Sequence, residues 1–141
     1  MQIVTGSFLL LVCSALHIVL LVSVIGLLGR MGHRTNSRSL PRYWVFPTAI
    51  AFAAVILAHT IQVWLWALSF IAFSVLPDFS DALYFSLVTY TTVGYGDVTV
   101  GPDHRLYAAM AAVTGLLNFG LSTAFLVGLF TRLLPREAET K

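Results

Sequence analysis

Apolar positions in this chain come in long unbroken runs, not in the one-sided stripes of a water-soluble helix. Three runs reach the roughly 20 residues that a helix needs to cross the hydrocarbon core of a bilayer. They cover residues 7–28, 46–76 and 105–134. Pro47 suits the first turn of the second run, and the third stops before Pro135. Between the second and third lies a stretch too short and too polar to cross. Its front half, residues 80–91, predicts a short helix with Ser80 or Asp78 as its cap and Asp81 near the positive end of its dipole. Its back half is rich in glycine and β-branched residues. Such backbone is tolerated at membrane depth only where protein buries it or where it lines a watery cavity. The pattern predicts an all-α membrane protein with three spanning helices and a re-entrant helix and loop.

Composition agrees: 58% of the 141 residues are hydrophobic and 10% are charged, against about a quarter charged in a soluble domain. The placement of charge orients the chain. Arg30, Arg34, Arg38 and Arg42 fall between the first two spans, and Arg132, Arg136 and Lys141 follow the third. Basic residues favour the cytoplasmic side. Asp78, Asp81, Asp97 and Asp103 all lie in the re-entrant region, on the other side. The expected topology has the N-terminus outside and the C-terminus in the cytoplasm, in a plasma or inner membrane. The first run has no basic lead and is longer than the apolar part of a secretory signal, so it reads as a retained span. The single cysteine, Cys13, excludes an intrachain disulfide framework.

The re-entrant loop carries Thr92-Val93-Gly94-Tyr95-Gly96-Asp97, preceded by Tyr90 and Thr91. Gly94 and Gly96 can hold positive φ at no steric cost, which lets successive carbonyls line one axis, where they can replace the water shell of an ion. These residues, at the end of a short helix between two spans, resemble the selectivity filter of potassium channels. The resemblance covers residues 46–134, roughly two thirds of the chain. It implies an outer helix (46–76), a pore helix (80–91), a filter (92–97) and an inner helix (105–134). An additional N-terminal helix (1–29) and a basic loop (30–45) precede them, and a short tail (135–141) follows. It further implies potassium ions held by the carbonyls of Thr92, Val93, Gly94 and Tyr95 and by the Thr92 hydroxyl. Gly96 completes the strand, and Thr91, Asp97, Tyr84, Phe85 and Val88 support it. One strand cannot surround an ion, so the expected assembly is a homotetramer. Potassium is the permeant ligand, no other cofactor is expected, and nucleic acid is not a partner.

By the same resemblance, Leu116, Phe119 and Thr123 line the cavity below the filter, and Gly115 matches a gating-hinge glycine. Close helix packing is an equal alternative for Gly115. Many family members place two tryptophans where this chain has Tyr84 and Phe85. Tyr84 can still reach Asp97, whereas Phe85 has no donor for Tyr95. Some carry a glutamate where Val88 stands. Those departures bear on the stability of the conducting filter.

Other polar residues invite ordinary explanations. His59 and Gln62 lie one turn apart in the second span, and such pairs most often bond across helices. Asn118 either faces the cavity or bonds a neighbouring helix. His104 sits in a loop beside Asp103. The arginines spaced by four have polar neighbours, which suits anionic lipid headgroups at Arg30, Arg34, Arg38 and Arg42 better than voltage sensing. No regulatory domain is expected in the few residues after Leu134. No set of acid, base and nucleophile converges as an enzyme requires. The expected function is passive, selective potassium conduction. The alternatives are a weakly selective cation channel and a non-conducting regulatory subunit of another channel.

Overall fold

Each long apolar run forms one helix. The computed structural model describes residues 2–32 and 42–133. Among them, α1 spans Gln2–Gly32, α2 Arg42–Ala72, α3 Phe79–Tyr90 and α4 Arg105–Leu133, with a 3-10 turn at Pro102–His104 before α4. Within these, Gln2–Arg30, Val45–Ala72 and Pro102–Arg132 are each long and apolar enough to cross a membrane. The described residues contain no β-sheet pairing. The chain is an integral membrane protein of the all-α class.

The helix bounds depart from those expected in ways that hydropathy cannot register. α2 begins at Arg42 instead of residue 46, so Pro47 lies inside the helix and not in its first turn. A proline there forfeits one backbone bond. α2 also ends at Ala72 although Phe73, Val75 and Leu76 are apolar. The reason is backbone: Ser74 turns left-handed at φ 53°. Ser74 N–H donates to the Ile71 carbonyl at 2.9 Å, and Val75 N–H donates to the Phe70 carbonyl at 2.8 Å. That pair of bonds is a Schellman cap. It folds Leu76 back into the core. Arg30 lies in the last turn of α1 and Arg42 opens α2, so both helices extend into the expected loop. Arg34, Arg38 and the tail at 135–141 lie outside the described residues.

α3 runs from Phe79, one residue earlier than expected, because Asp78 and not Ser80 is the cap. The Asp78 carboxylate accepts from Ser80 N–H at 2.8 Å and from Asp81 N–H at 3.2 Å. The last helical residue is Tyr90, with Thr91 as its C-cap.

α1 and α4 run in the same direction: Ser7 meets Met110 near one end and His17 meets Ser122 further along. α2 runs the opposite way, with Trp66 on Tyr107 and Gln62 on Asn118. In lipid, apolar surface gives helices little reason to associate, and close packing of small residues does more. Ala51, Ala58, Ala67, Ala82, Ala108 and Ala111 are accordingly buried at the helix contacts. Around them an aromatic cluster anchors α3. Phe85 meets Phe70 edge-on at 5.3 Å between ring centroids, and Phe70 meets Tyr107 at 5.9 Å. Ser86 adds a hydrogen bond to the Val63 carbonyl at 2.7 Å.

Candidate ion-conduction site

The segment after α3 starts from its own helix end. Thr91 Oγ1 donates to the Leu87 carbonyl at 2.7 Å, and Thr92 N–H to the Thr89 carbonyl at 3.0 Å. Gly94 N–H donates to the Val88 carbonyl at 3.1 Å. Carbonyls that a helix C-terminus leaves open are thereby satisfied, and the strand is pinned to the helix at its midpoint. Val88 itself is buried.

Along this strand the backbone alternates. Thr92, Gly94 and Gly96 have φ of 62°, 53° and 79°, while Val93 and Tyr95 do not enter the positive region. Two of these three positions are glycines, for which the geometry is free. The third is β-branched, for which it is a true outlier. A strained residue of this kind costs of order 1–3 kcal/mol and persists only where its surroundings dictate it. The sequence points to Gly94 and Gly96 but not to Thr92. The period-two spacing back from the glycines is the signal that could have found it.

At the outer end, Tyr84 Oη donates to Asp97 Oδ2 at 2.5 Å. This bond is the main influence on both groups. It holds the Asp97 carboxyl below its ordinary range and lifts the Tyr84 phenol above its own. Phe85 points into the aromatic cluster and not toward Tyr95. Val93 and Tyr95 are 51% and 73% exposed on the single chain, so any packing that holds them comes from another chain.

The inner-helix residues divide into two groups. Leu116, Phe119 and Thr123 lie on one exposed face of α4. Gly115 does not join them. It is buried against α3, where an added Cβ would collide with the Tyr90 carbonyl. Asn118 is also buried, and its side-chain amide donates to Gln62 Oε1. Phe119 stacks on His59 with ring centroids 4.4 Å apart.

The family model described as "Ion channel" matches residues 56–132, more than half of the chain. The chain belongs to this ion channel family. The match takes in most of α2, all of α3, the strand and nearly all of α4, so the resemblance to potassium-channel pore domains holds at the level of the family. Members of this family act as channels, not as enzymes, and the permeant ion is their ligand. Among individual relatives, the human potassium voltage-gated channel subfamily A member 6 is 36% identical over 69 residues, covering 47% of this chain and 13% of that protein. Subfamily A member 4 from Mustela putorius furo is 36% identical over 64 residues, covering 43% and 10%. Member 2 from Xenopus laevis is 33% identical over 66 residues, covering 45% and 13%. The chain thus spans 13% or less of the length of these relatives. No solved structure matches it.

Proposed function

We propose that four copies of this channel subunit assemble around an axis and conduct potassium selectively through residues 92–96. The carbonyls of Thr92, Val93, Gly94 and Tyr95 and the Thr92 hydroxyl replace the ion's water, ring by ring. The observation that carries this reading is the alternation of φ at Thr92, Gly94 and Gly96, a backbone pattern that lets successive carbonyls line one axis. The potassium channels among the relatives support the choice of ion. Asp97, Tyr84, Thr91, Val88 and Phe85 hold the strand from behind. Leu116, Phe119 and Thr123 face the cavity under it, and α1 lies outermost. The N-terminus faces outside, and Arg30, Arg34, Arg38 and Arg42 meet anionic headgroups on the cytoplasmic side.

Liposomes loaded with potassium and carrying the purified protein test this directly. Potassium efflux blocked by barium, with sodium flux negligible, is the expected result. Comparable sodium and potassium fluxes would replace selective conduction with a weakly selective channel. Tetramers without any flux would favour a non-conducting subunit.

A further inference from the structure

Six polar side chains from all four helices meet in the interior of the spans: His17 of α1, His59 and Gln62 of α2, Tyr90 of α3, and Asn118 and Ser122 of α4. All but His59 are buried. Gln62 Oε1 accepts from the Tyr90 hydroxyl at 2.9 Å and from the Asn118 amide. Its Nε2 is therefore the donor to His17 Nδ1, at 2.7 Å. That makes His17 the Nε2–H tautomer, which donates to Ser122 Oγ at 2.9 Å. The Ser122 hydroxyl then passes its own hydrogen to His59 Nε2, at 3.0 Å. His59 is left as the Nδ1–H tautomer and donates to the Tyr90 oxygen at 2.9 Å. Gln62, His17, Ser122, His59 and Tyr90 close a circuit in which each gives one hydrogen to the next, and Asn118 adds a second hydrogen to Gln62 Oε1 from outside it. Reversing every link, with both amides turned over, gives a second closed pattern. It too needs two neutral imidazoles of opposite tautomer.

We propose that this ring is a clamp on the base of the pore helix, closed only while His17 and His59 are both neutral, so that acid opens it and lowers conduction. Tyr90 is the positioning residue. It is the last residue of α3, two before Thr92, and its carbonyl rests on Gly115. Through it, α1 and α4 are joined to the start of the strand. A further hydrogen would put two on one link, and the ring would break there. Among the described residues, no carboxylate is placed to neutralise the new charge. Asp78, Asp81, Asp97 and Asp103 lie in the segment between α2 and α4, and the titratable group that faces His59 is His17 itself. The two rings sit 4.9 Å apart. Cys13, one turn before His17, is a buried thiol.

The clamp's effect on conduction rests on the function proposed above, so its test has a part that does not. Nitrogen-15 magnetic resonance of the histidine-labelled full chain in liposomes at about pH 8 reads the tautomers. One of the two imidazoles of the ring should carry its hydrogen on Nδ1 and the other on Nε2. Two identical tautomers, or a charged ring, would overturn the clamp. Potassium flux should be about tenfold lower at about pH 4 than at about pH 8, the loss expected when a buried polar group is left unpaired. Tyr90→Phe should be low and flat across that range, while His104→Gln in the outer loop keeps the wild-type profile. A pH-independent wild type, or a Tyr90→Phe variant that still loses tenfold, overturns the coupling. Absence of flux at both pH values sinks the conduction proposal instead, and the resonance spectrum still decides whether the ring exists.

Discussion

Thr92 shows what a filter-like strand demands of a single residue. A β-branched side chain in the left-handed region is held there by the last turn of α3 behind it and by two glycines ahead. Its neighbours have less latitude. Alanine at Gly94 adds a Cβ to a backbone at φ 53°, at a cost of roughly 1–2 kcal/mol per copy. The Gly94→Ala variant should lose potassium flux at least tenfold in the liposome assay, with its oligomeric state unchanged. At the outer end, the Tyr84–Asp97 bond has a defined pH window. The lowered Asp97 value means the bond is fully present above the ordinary carboxylate value of 3.8 and is lost only as pH falls through the still lower folded value. The raised Tyr84 value means it is also present below 10.0 and is lost as pH rises through the higher folded value. Tyr84→Phe should therefore change the time course of current decline at neutral pH. Wild-type behaviour at this bond should not vary between about pH 5 and about pH 9. The motif made Thr92-Val93-Gly94-Tyr95-Gly96-Asp97 legible from sequence, because the residue types there are dictated by backbone angles. Tyr84 was legible through its reach to Asp97. The ring was legible only in pieces, since His17 and Ser122 sit 105 positions apart and nothing local joins them.

At the scale of elements, hydropathy located all three spans and could not place their ends. α2 stops at a left-handed serine inside an apolar sequence, a backbone event that no hydropathy scale contains. Ser74→Gly should relieve the left-handed penalty and raise stability by about 1 kcal/mol, seen as a higher midpoint of thermal unfolding in detergent. Gly115 is the harder constraint. Its α-carbon admits α4 to the Tyr90 carbonyl so closely that a methyl group has nowhere to go, and the obstacle is backbone, which cannot swing aside. Gly115→Ala should lower the unfolding midpoint by several degrees, and Gly120→Ala, which has open space on this chain, should not. A lower midpoint for Gly120→Ala alone would mean that the helix contacts are misassigned.

For the whole molecule, the single chain leaves unfinished the surfaces that function requires. Tyr95 and Leu116 are among its most exposed apolar residues and Val93 is half exposed, and they lie along the strand and the inner-helix face. If four copies meet there, a mass close to four times 15.4 kDa, after allowance for detergent, is expected from light scattering. A monodisperse monomer would remove the basis for a conducting ring. The three-span architecture was readable because length and hydropathy are enough to predict a span. The contact of α1 with the inner helix was not, because in the sequence the two are separated by every other element.

That contact has a consequence for anyone wishing to trim the protein to a minimal two-helix scaffold. Deleting α1 does not shed an idle anchor. It strips His17 from the ring and strands the Gln62 amide and the Ser122 hydroxyl against lipid, and a half-paired polar cluster is worse than an apolar one. A shortened design would have to be rewritten as a set, with His59, Gln62, Asn118 and Ser122 made apolar together, and Tyr90 exchanged for phenylalanine in the same step.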